Sequence, residues 1–531
     1  MSDHTEDHLL RRSSLASSSS SHDGQDFNYG PNVKLLSAYP HTHFLHTVLR
    51  RITFPFQICF RTQNSRGYSI SSHTPTSLTL LFKSLSWIFA FLVALSILRG
   101  ILFPSYANPP PHYRLLNEAI SSSSYEGRGN IKGESVFIAA NIIQEDLIKG
   151  QWGLSLLELV HLLGPENVFV SIYENDSGPG TAAALEELKA KLPCDFSIVT
   201  NAHVSLDNYP KVYLPNGNAR VKRLAYLSDL RNRLLWPLEH PESHIGAQIN
   251  HTSTSFNRIL FLNDVYFSPI DAIHLLFSTN EANYSIACAA DFISSVMFYD
   301  TFVVRDNEGY GMGFMFFPWF TSQGLSRGDV LAESDAVRVR SCWGGMASYD
   351  ATPFLTPDAM HSATSHYPSI NGTTLQPLRF RHDPEVFWES AECCLINADF
   401  AHREPSATSR IFLNPYIRVA YTARSWYWLS TIRRFERSFA ILQYVVSAIG
   451  YPEYNARRTE RPGHPSTQRR WLYTDASLNG EELGRASLEH AEKIIAQPGG
   501  FCGQKRLFVM KPNLEETNKQ GSRNWEQIAV P

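Results

Sequence analysis

No two cysteines in this chain stand in a C-x-x-C spacing, which argues against a structural zinc site. No G-x-x-x-x-G-K-[ST] occurs, and no glycine-rich fingerprint follows the first apolar strand; a P-loop NTPase and an NAD-dependent enzyme are therefore disfavoured. A charge excess of one sign is missing too. Lys and Arg total 47 against 50 Asp and Glu, a net of -3, so there is no nucleic-acid footprint. What is present is bulk. The 531 residues are 43% hydrophobic, enough for a large core and for two domains. Aromatics reach 12%, with 10 Trp and 23 Tyr, a richness that suits carbohydrate contacts without demanding them.

Residues 1–77 are polar, carry the tract Ser17–Ser21 and show no periodicity; they read as a disordered tail. Residues 78–103 are apolar, but the stretch between Lys83 and Arg99 is short for a membrane span. It reaches about 20 residues when both cations snorkel to the headgroups. It lies too deep for a signal peptide and lacks a small-residue cleavage site; a buried soluble helix is the alternative. Arg50, Arg51, Arg61, Arg66 and Lys83 precede or enter it, against Arg99 and Arg114 after it. That bias predicts a cytosolic N-terminus and a lumenal body, the layout of a single-pass enzyme of the secretory pathway. Cys59 is then cytosolic, while Cys194, Cys288, Cys342, Cys393, Cys394 and Cys502 share the lumen; an even number permits pairing and leaves connectivity open. Four sequons begin at Asn175, Asn250, Asn283 and Asn371, about as many as chance supplies.

Residues 104–130, rich in Pro and Ser, read as a stem, 131–450 as the folded body and 451–531 as a C-terminal extension. The body opens on an alternation of elements. Val136–Ala140 is a short apolar strand, and Trp152, Leu156, Leu159, Val160 and Leu163 recur at helical spacing before Gly164-Pro165. Strand 168–173, a helix through Leu185, Leu188 and Leu192, strand 196–199, a helix over 221–238 and strand 259–262 follow. Such alternation predicts an α/β fold with a mostly parallel sheet flanked by helices. Further on, 409–448 reads as helices packed on the body, 455–470 as a linker or exposed loop, and 481–496 as a helix.

The strands end in polar residues: Asn141, then Glu174-Asn175-Asp176, then Thr200-Asn201, then Asn263-Asp264. In an open α/β sheet a ligand sits at that edge. The run Arg258-Ile-Leu-Phe-Leu-Asn263-Asp264 is the sharpest of these, because a buried strand does not end in a carboxylate unless it is paired, hydrogen-bonded or metal-bound. An Asx turn reads the same residues without a ligand. The loop Gly309-Tyr-Gly-Met-Gly313, followed by the aromatic run Phe314–Phe320, reads as a turn beside an acceptor-sugar platform.

The segments Phe137-Ile-Ala-Ala-Asn141, Val170-Ser-Ile-Tyr-Glu-Asn-Asp176, Leu230-Arg231-Asn232, Phe261-Leu-Asn-Asp264, Cys288-Ala-Ala-Asp291 and Glu392-Cys-Cys-Leu-Ile-Asn-Ala-Asp399, taken in order, resemble the fungal α-1,3-mannosyltransferase family associated with cryptococcal capsule synthesis. The resemblance runs from about Ser135 to Phe400, roughly half of the chain. It implies a GT-A-like fold, a type II Golgi membrane topology, GDP-mannose as donor, a mannan or oligosaccharide as acceptor, and α-1,3 transfer with retention.

Each position carries chemistry of its own. A departing nucleoside diphosphate needs its charge neutralised, and a divalent cation such as Mn²⁺ held by carboxylate oxygen does this. Asp264 is the expected ligand, with Asn263 beside it as a second ligand or sugar contact. Tyr266 stands where a strict Asp-x-Asp would have its second carboxylate, so metal independence stays open. Glu174 and Asp176 suit ribose hydroxyls or a base edge, or merely a solvated turn. Arg223 and Arg231, eight apart, suit phosphate or surface ion pairs, and Asn141 and Asn232 are expected substrate contacts as well. Asp291 closes a strand and suits donor-sugar hydroxyls. Trp343-Gly344-Gly345 suits an acceptor wall, or a packed turn. Glu392 and Asp399 lie seven apart, near one helical face, and suit acceptor positioning, a cap or an ion pair. Two rivals remain: a membrane-anchored glycan-binding or assembly factor without catalysis, and a transferase using UDP-xylose or UDP-glucose.

Overall fold

The computed structural model describes residues 76–214, 217–240, 247–248, 255–355, 376–405, 410–450, 454–473, 486–511 and 524–530. Most of the polar tail, Cys59 and the sequons at Asn250 and Asn371 lie outside the described residues. The first helix, α1 (Thr76–Leu102), is 27 residues long, long and apolar enough to cross a membrane. Its side chains are not core: Leu80, Trp87, Phe89 and Phe91 are all exposed, which sets aside the buried soluble helix. Helix α2 (His112–Ser122) follows. It is packed on the body, with Tyr113 and Leu116 buried and Tyr106 edge-on to Tyr416.

Seven strands build the centre of the sheet: β1 (Val136–Ala140), β2 (Val168–Asn175), β3 (Asp195–Ala202), β4 (Arg258–Leu262), β5 (Ile286–Ser294), β6 (Met346–Asp350) and β7 (Ile411–Ala420). Their order is β3-β2-β1-β4-β6-β5-β7, within an eleven-stranded sheet whose edges are short antiparallel strands. Only β6 runs against the other six. Between the strands lie α3 (Gln151–Leu163), α4 (Pro179–Lys189), α5 (Arg223–Leu234) and α6 (Pro269–Phe277). Helix α3 turns Trp152, Leu156, Leu159, Val160 and Leu163 inward, the stripe read from the sequence, and packs against α6. After β6 come α7 (Glu392–Arg403), α8 (Ala423–Arg433) and α9 (Ala440–Gly450). This mixed, mostly parallel sheet flanked by helices is the GT-A-like arrangement expected.

Register decides what the sheet can present. Ala140 stands opposite both Ile172 and Leu262, and Tyr173 opposite Val199. The four polar strand ends therefore fall in one row.

Four expectations fail downstream. Residues 411–420 form a strand, buried at every position, at the start of a stretch expected to be helical; Ile, Phe, Tyr and Val dominate it and suit pairing with β5. Residues 486–495 are a strand paired antiparallel with 465–473, not a helix, although Glu, Ala and Lys favour one locally; 481–485 lie outside the described residues. That same hairpin begins inside the expected linker, where Arg457 is buried on Glu385 at 2.7 Å. The aromatic run is not a platform either, since Phe317, Trp319 and Phe320 are core residues and Phe316 stacks on Phe439.

Four of the six expected lumenal cysteines pair. Cys288–Cys342 ties β5 to the turn before β6, and Cys394–Cys502 ties α7 to the C-terminal segment. Cys194 and Cys393 are free and buried.

Candidate active site

The turn after β4 is pinned from three sides. The Asn263 backbone N–H donates to the Gly345 carbonyl at 2.9 Å, and the Asn263 carbonyl accepts from Trp152 Nε1 at 3.0 Å. Tyr266 exchanges backbone hydrogen bonds of 2.7 and 3.1 Å with Ala420 at the end of β7. Asp264 is held between these anchors. Its Oδ2 accepts from Gln144 Nε2 at 3.1 Å. Burial pushes the carboxyl up to about 6, against smaller opposing effects from its hydrogen bonds and the Arg231 charge. The Asn263 side-chain oxygen accepts from Trp343 Nε1 at 3.2 Å.

A pair of carboxylates, Asp291 and Asp300, is joined to the Gly344 turn and to Tyr421. Asp291, 1% exposed, accepts from Tyr421 OH at 3.1 Å and from the Asp300 backbone N–H at 3.1 Å. Asp300 accepts from the N–H groups of Val303 and Gly344 at 3.0 and 3.1 Å. Burial raises both carboxyls, and for Asp291 the neighbouring Asp300 charge raises it further. Tyr299 lies against Tyr421, ring centres 4.3 Å apart. Burial raises its hydroxyl, which also feels the charges of Asp291, Arg223, Asp264 and Asp300.

Two glycines make the wall. Gly344 has φ +60°, and a Cβ there would stand 1.8 Å from the Ala289 carbonyl oxygen. Gly345 has φ +66° and faces Val265. The Trp343 ring is 4% exposed, covered by the Arg231 guanidinium 4.5 Å from its centre and by Phe261. The ring therefore presents no open face as an acceptor wall, and the packed turn is what the structure has.

Arg231 Nε donates to Glu392 Oε1 at 2.9 Å, with Glu392 buried and the Arg231 side chain largely so; this is no surface ion pair. Removing one partner of a buried pair leaves an uncompensated charge, at a cost of about 3 kcal/mol or more. Glu392→Ala is expected to lower stability by that amount in urea unfolding, and Glu392→Gln, which keeps an acceptor for Nε, by less than half of it. Equal losses would mean that the carboxylate charge itself is what Arg231 needs.

The remaining predicted residues divide. Arg223 lies over Trp525, 4.8 Å from its ring centre, and meets no carboxylate at ion-pair distance among the described residues. Asn232 spends its amide on the Phe380 backbone, donating at 2.9 Å and accepting at 2.8 Å. Asn141 Nδ2 donates to the Tyr173 carbonyl at 3.2 Å, joining the ends of β1 and β2. Glu174, fully buried, accepts from Ser177, and Asp176, at φ +53°, meets His203 Nδ1 at 2.9 Å. Asp399 forms a two-pronged pair with Arg381 at 2.7 and 2.8 Å. It sits about 10 Å along α7 from Glu392, at 1.5 Å per residue; the spacing read as one face has its ends in different surroundings.

Gln144, Tyr299, Asp300, Tyr421 and Trp525 escaped sequence reasoning. Tyr421 had a signal: once 411–420 is read as a strand, its polar end joins the same edge. The others follow no motif.

No group of three His, Cys, Asp or Glu poised for a metal occurs among the described residues. Asp264 offers a single carboxylate. That donor set suits a hard divalent ion whose other ligands come from substrate phosphates and water.

Residues 135–399 match the family described as cryptococcal mannosyltransferase 1. Over 281 residues the chain is 25% identical to alpha-1,3-mannosyltransferase CMT1 of Cryptococcus neoformans var. neoformans serotype D, covering 50% of this chain and 53% of that protein. The chain thus spans about half the length of the curated relative it matches. Among solved structures it is similar to mannosyltransferase PcManGT from Pyrobaculum calidifontis in complex with GDP-Man and Mn²⁺, at 10% identity and TM-score 0.28, covering 68% of this chain and 75% of that one. Glucosyl-3-phosphoglycerate synthase from Mycobacterium tuberculosis, in complex with Mn²⁺, UDP and phosphoglyceric acid, matches at 11% identity and TM-score 0.26, covering 68% and 89%.

Proposed function

We propose, from the premise that this chain belongs to the cryptococcal mannosyltransferase family through residues 135–399, that it transfers mannose from GDP-mannose to a mannoside or polysaccharide acceptor, in α-1,3 linkage with retention. The observation that carries this reading is the half-buried carboxylate of Asp264, pinned at the end of β4, bonded to Gln144 and near enough to Arg231 to feel its charge. A divalent cation, Mn²⁺ being the natural choice, would be held by Asp264 and would neutralise the charge developing on the diphosphate. Arg223, stacked on Trp525, can meet a phosphate by its fork of N–H groups. Asp291, held by Tyr421, is the group for donor-sugar hydroxyls, with Asp300 fixing the Gly344 turn beneath it. Glu392 acts through Arg231. The acceptor hydroxyl oxygen bonds to the anomeric carbon as the bond to the phosphate oxygen breaks. Its proton passes to that same oxygen on the same face, so no side chain need serve as nucleophile. Helix α1 would anchor the body in the Golgi membrane as a type II protein, with its acceptor site in the lumen.

Tyr266, in place of a second carboxylate, keeps one other reading alive: a non-catalytic glycan-binding or assembly factor. Incubating the detergent-solubilised full chain with radiolabelled GDP-mannose and an α-mannobiose acceptor separates the two. An α-1,3-mannosylated product is expected. Glycan binding without any transfer would establish the assembly factor instead.

A further inference from the structure

Helix α9 is built inside out. Its sequence, Ala440-Ile-Leu-Gln-Tyr-Val-Val-Ser-Ala-Ile-Gly450, buries Gln443 at 0% exposure and Ser447 at 5%, while Ile441 and Ile449 are 78% and 74% exposed. Leu442, Tyr444 and Val445 share the outer face. The inward polar contacts are specific: Gln443 donates to the Phe320 carbonyl at 3.1 Å and accepts from Arg327 at 2.6 Å. A helix in contact with water turns its apolar stripe to the core. One that turns it outward over this area faces an apolar medium.

The neighbour of this helix says which medium. The segment Glu436–Phe439, which leads into α9, packs on α1. Ser438 is hydrogen-bonded to Ser96, and Gly100 leaves room for the Phe435 ring, where a Cβ would clash. Ser96 stands six residues before the end of α1 at Leu102, about 9 Å inside it at 1.5 Å per residue. The start of α9 therefore lies at a depth where α1 is still apolar. The junction is tied to the body, because Glu436 accepts from Ser105 and holds both prongs of Arg418, each bond 2.8 Å long. On α8, Tyr427 and Trp428 are exposed as well, the residue types that favour a membrane–water boundary.

We infer that α9 lies in the near leaflet of the bilayer that α1 crosses, too short to span it, and seats the body on the membrane in one orientation. The inference rests on α1 being a membrane span, part of the function proposed above. A second copy of this chain is the competing occupant of the apolar face.

The test places the photoreactive residue p-benzoylphenylalanine at one position at a time in the full chain, reconstituted in phosphatidylcholine liposomes. The positions are Ile449 on α9, Leu92 in α1 and Lys132, which is exposed on the body. All three side chains point outward, so folding is not at stake. Phospholipid adducts, read by mass spectrometry, are expected at Ile449 within about twofold of those at Leu92 and at least about tenfold above Lys132. Lipid at Leu92 with none at Ile449, or a crosslink from Ile449 to a second copy, would overturn the seating of α9 alone. Absence of lipid at Leu92 would overturn the span, and this inference with it.

Discussion

Asp264→Ala is expected to cut mannosyl transfer by about 10³-fold, the equivalent of about 4 kcal/mol of transition-state stabilisation, with the fold intact. The argument is one of position. Among the described residues Asp264 has one side-chain partner, Gln144 at 3.1 Å, and the turn around it is held by backbone bonds to Gly345 and Ala420 that the substitution leaves alone. A desolvated carboxylate without a cation costs the apo protein free energy, so Asp264→Asn should unfold in urea no earlier than wild type while losing transfer to a similar degree. Loss of activity with preserved stability marks a group kept for its chemistry. Transfer within a factor of about three of wild type, a difference of well under 1 kcal/mol, would remove Asp264 from the reaction.

Gly344→Ala is expected to have the largest effect on the fold. The added Cβ would meet the Ala289 carbonyl oxygen at 1.8 Å, and φ is +60° there. Ala289 cannot retreat, since it pairs with Asn414 of β7 and its neighbour Cys288 with Ala347 of β6. Clash and left-handed strain together cost about 3 kcal/mol or more. Activity should fall as well, because the Gly344 N–H holds Asp300. Gly311→Ala is the control, a glycine whose added methyl would meet nothing within 4 Å and whose φ is not positive. The urea midpoint should drop steeply for the first and stay put for the second; equal midpoints would contradict the packing described.

The parts legible in the sequence were those fixed by local burial. Strands β1 to β4 are short, largely apolar and stopped by polar residues, and the register of the parallel sheet brings Asn141, Glu174 and Asn263 to one edge. Asp264 could be found because a carboxylate at such a strand end has few explanations. The illegible parts depend on long-range pairing. Strand β7 lies in a stretch read as helical, and its Arg418 is buried on Glu436. Strand 486–495 has the composition of a helix and is fixed by its partner 465–473. Asp300 and Trp525 enter the site from segments that carry no motif, one through the Gly344 turn, the other through Arg223. Asp399 and Glu392 show the limit of spacing arguments. Seven residues apart, one meets Arg381 and the other Arg231.

The central claim is a donor site for GDP-mannose built around Asp264, and calorimetric titration of the full chain in detergent tests it directly. GDP-mannose, GDP, UDP-glucose and UDP-xylose would each be titrated with and without Mn²⁺, against wild type and Asp264→Ala. Metal-dependent binding of GDP-mannose and GDP, absent for both UDP sugars and lost in the variant, is the predicted result. Binding of a UDP sugar in preference to GDP-mannose, or of no nucleotide under any condition, would contradict it.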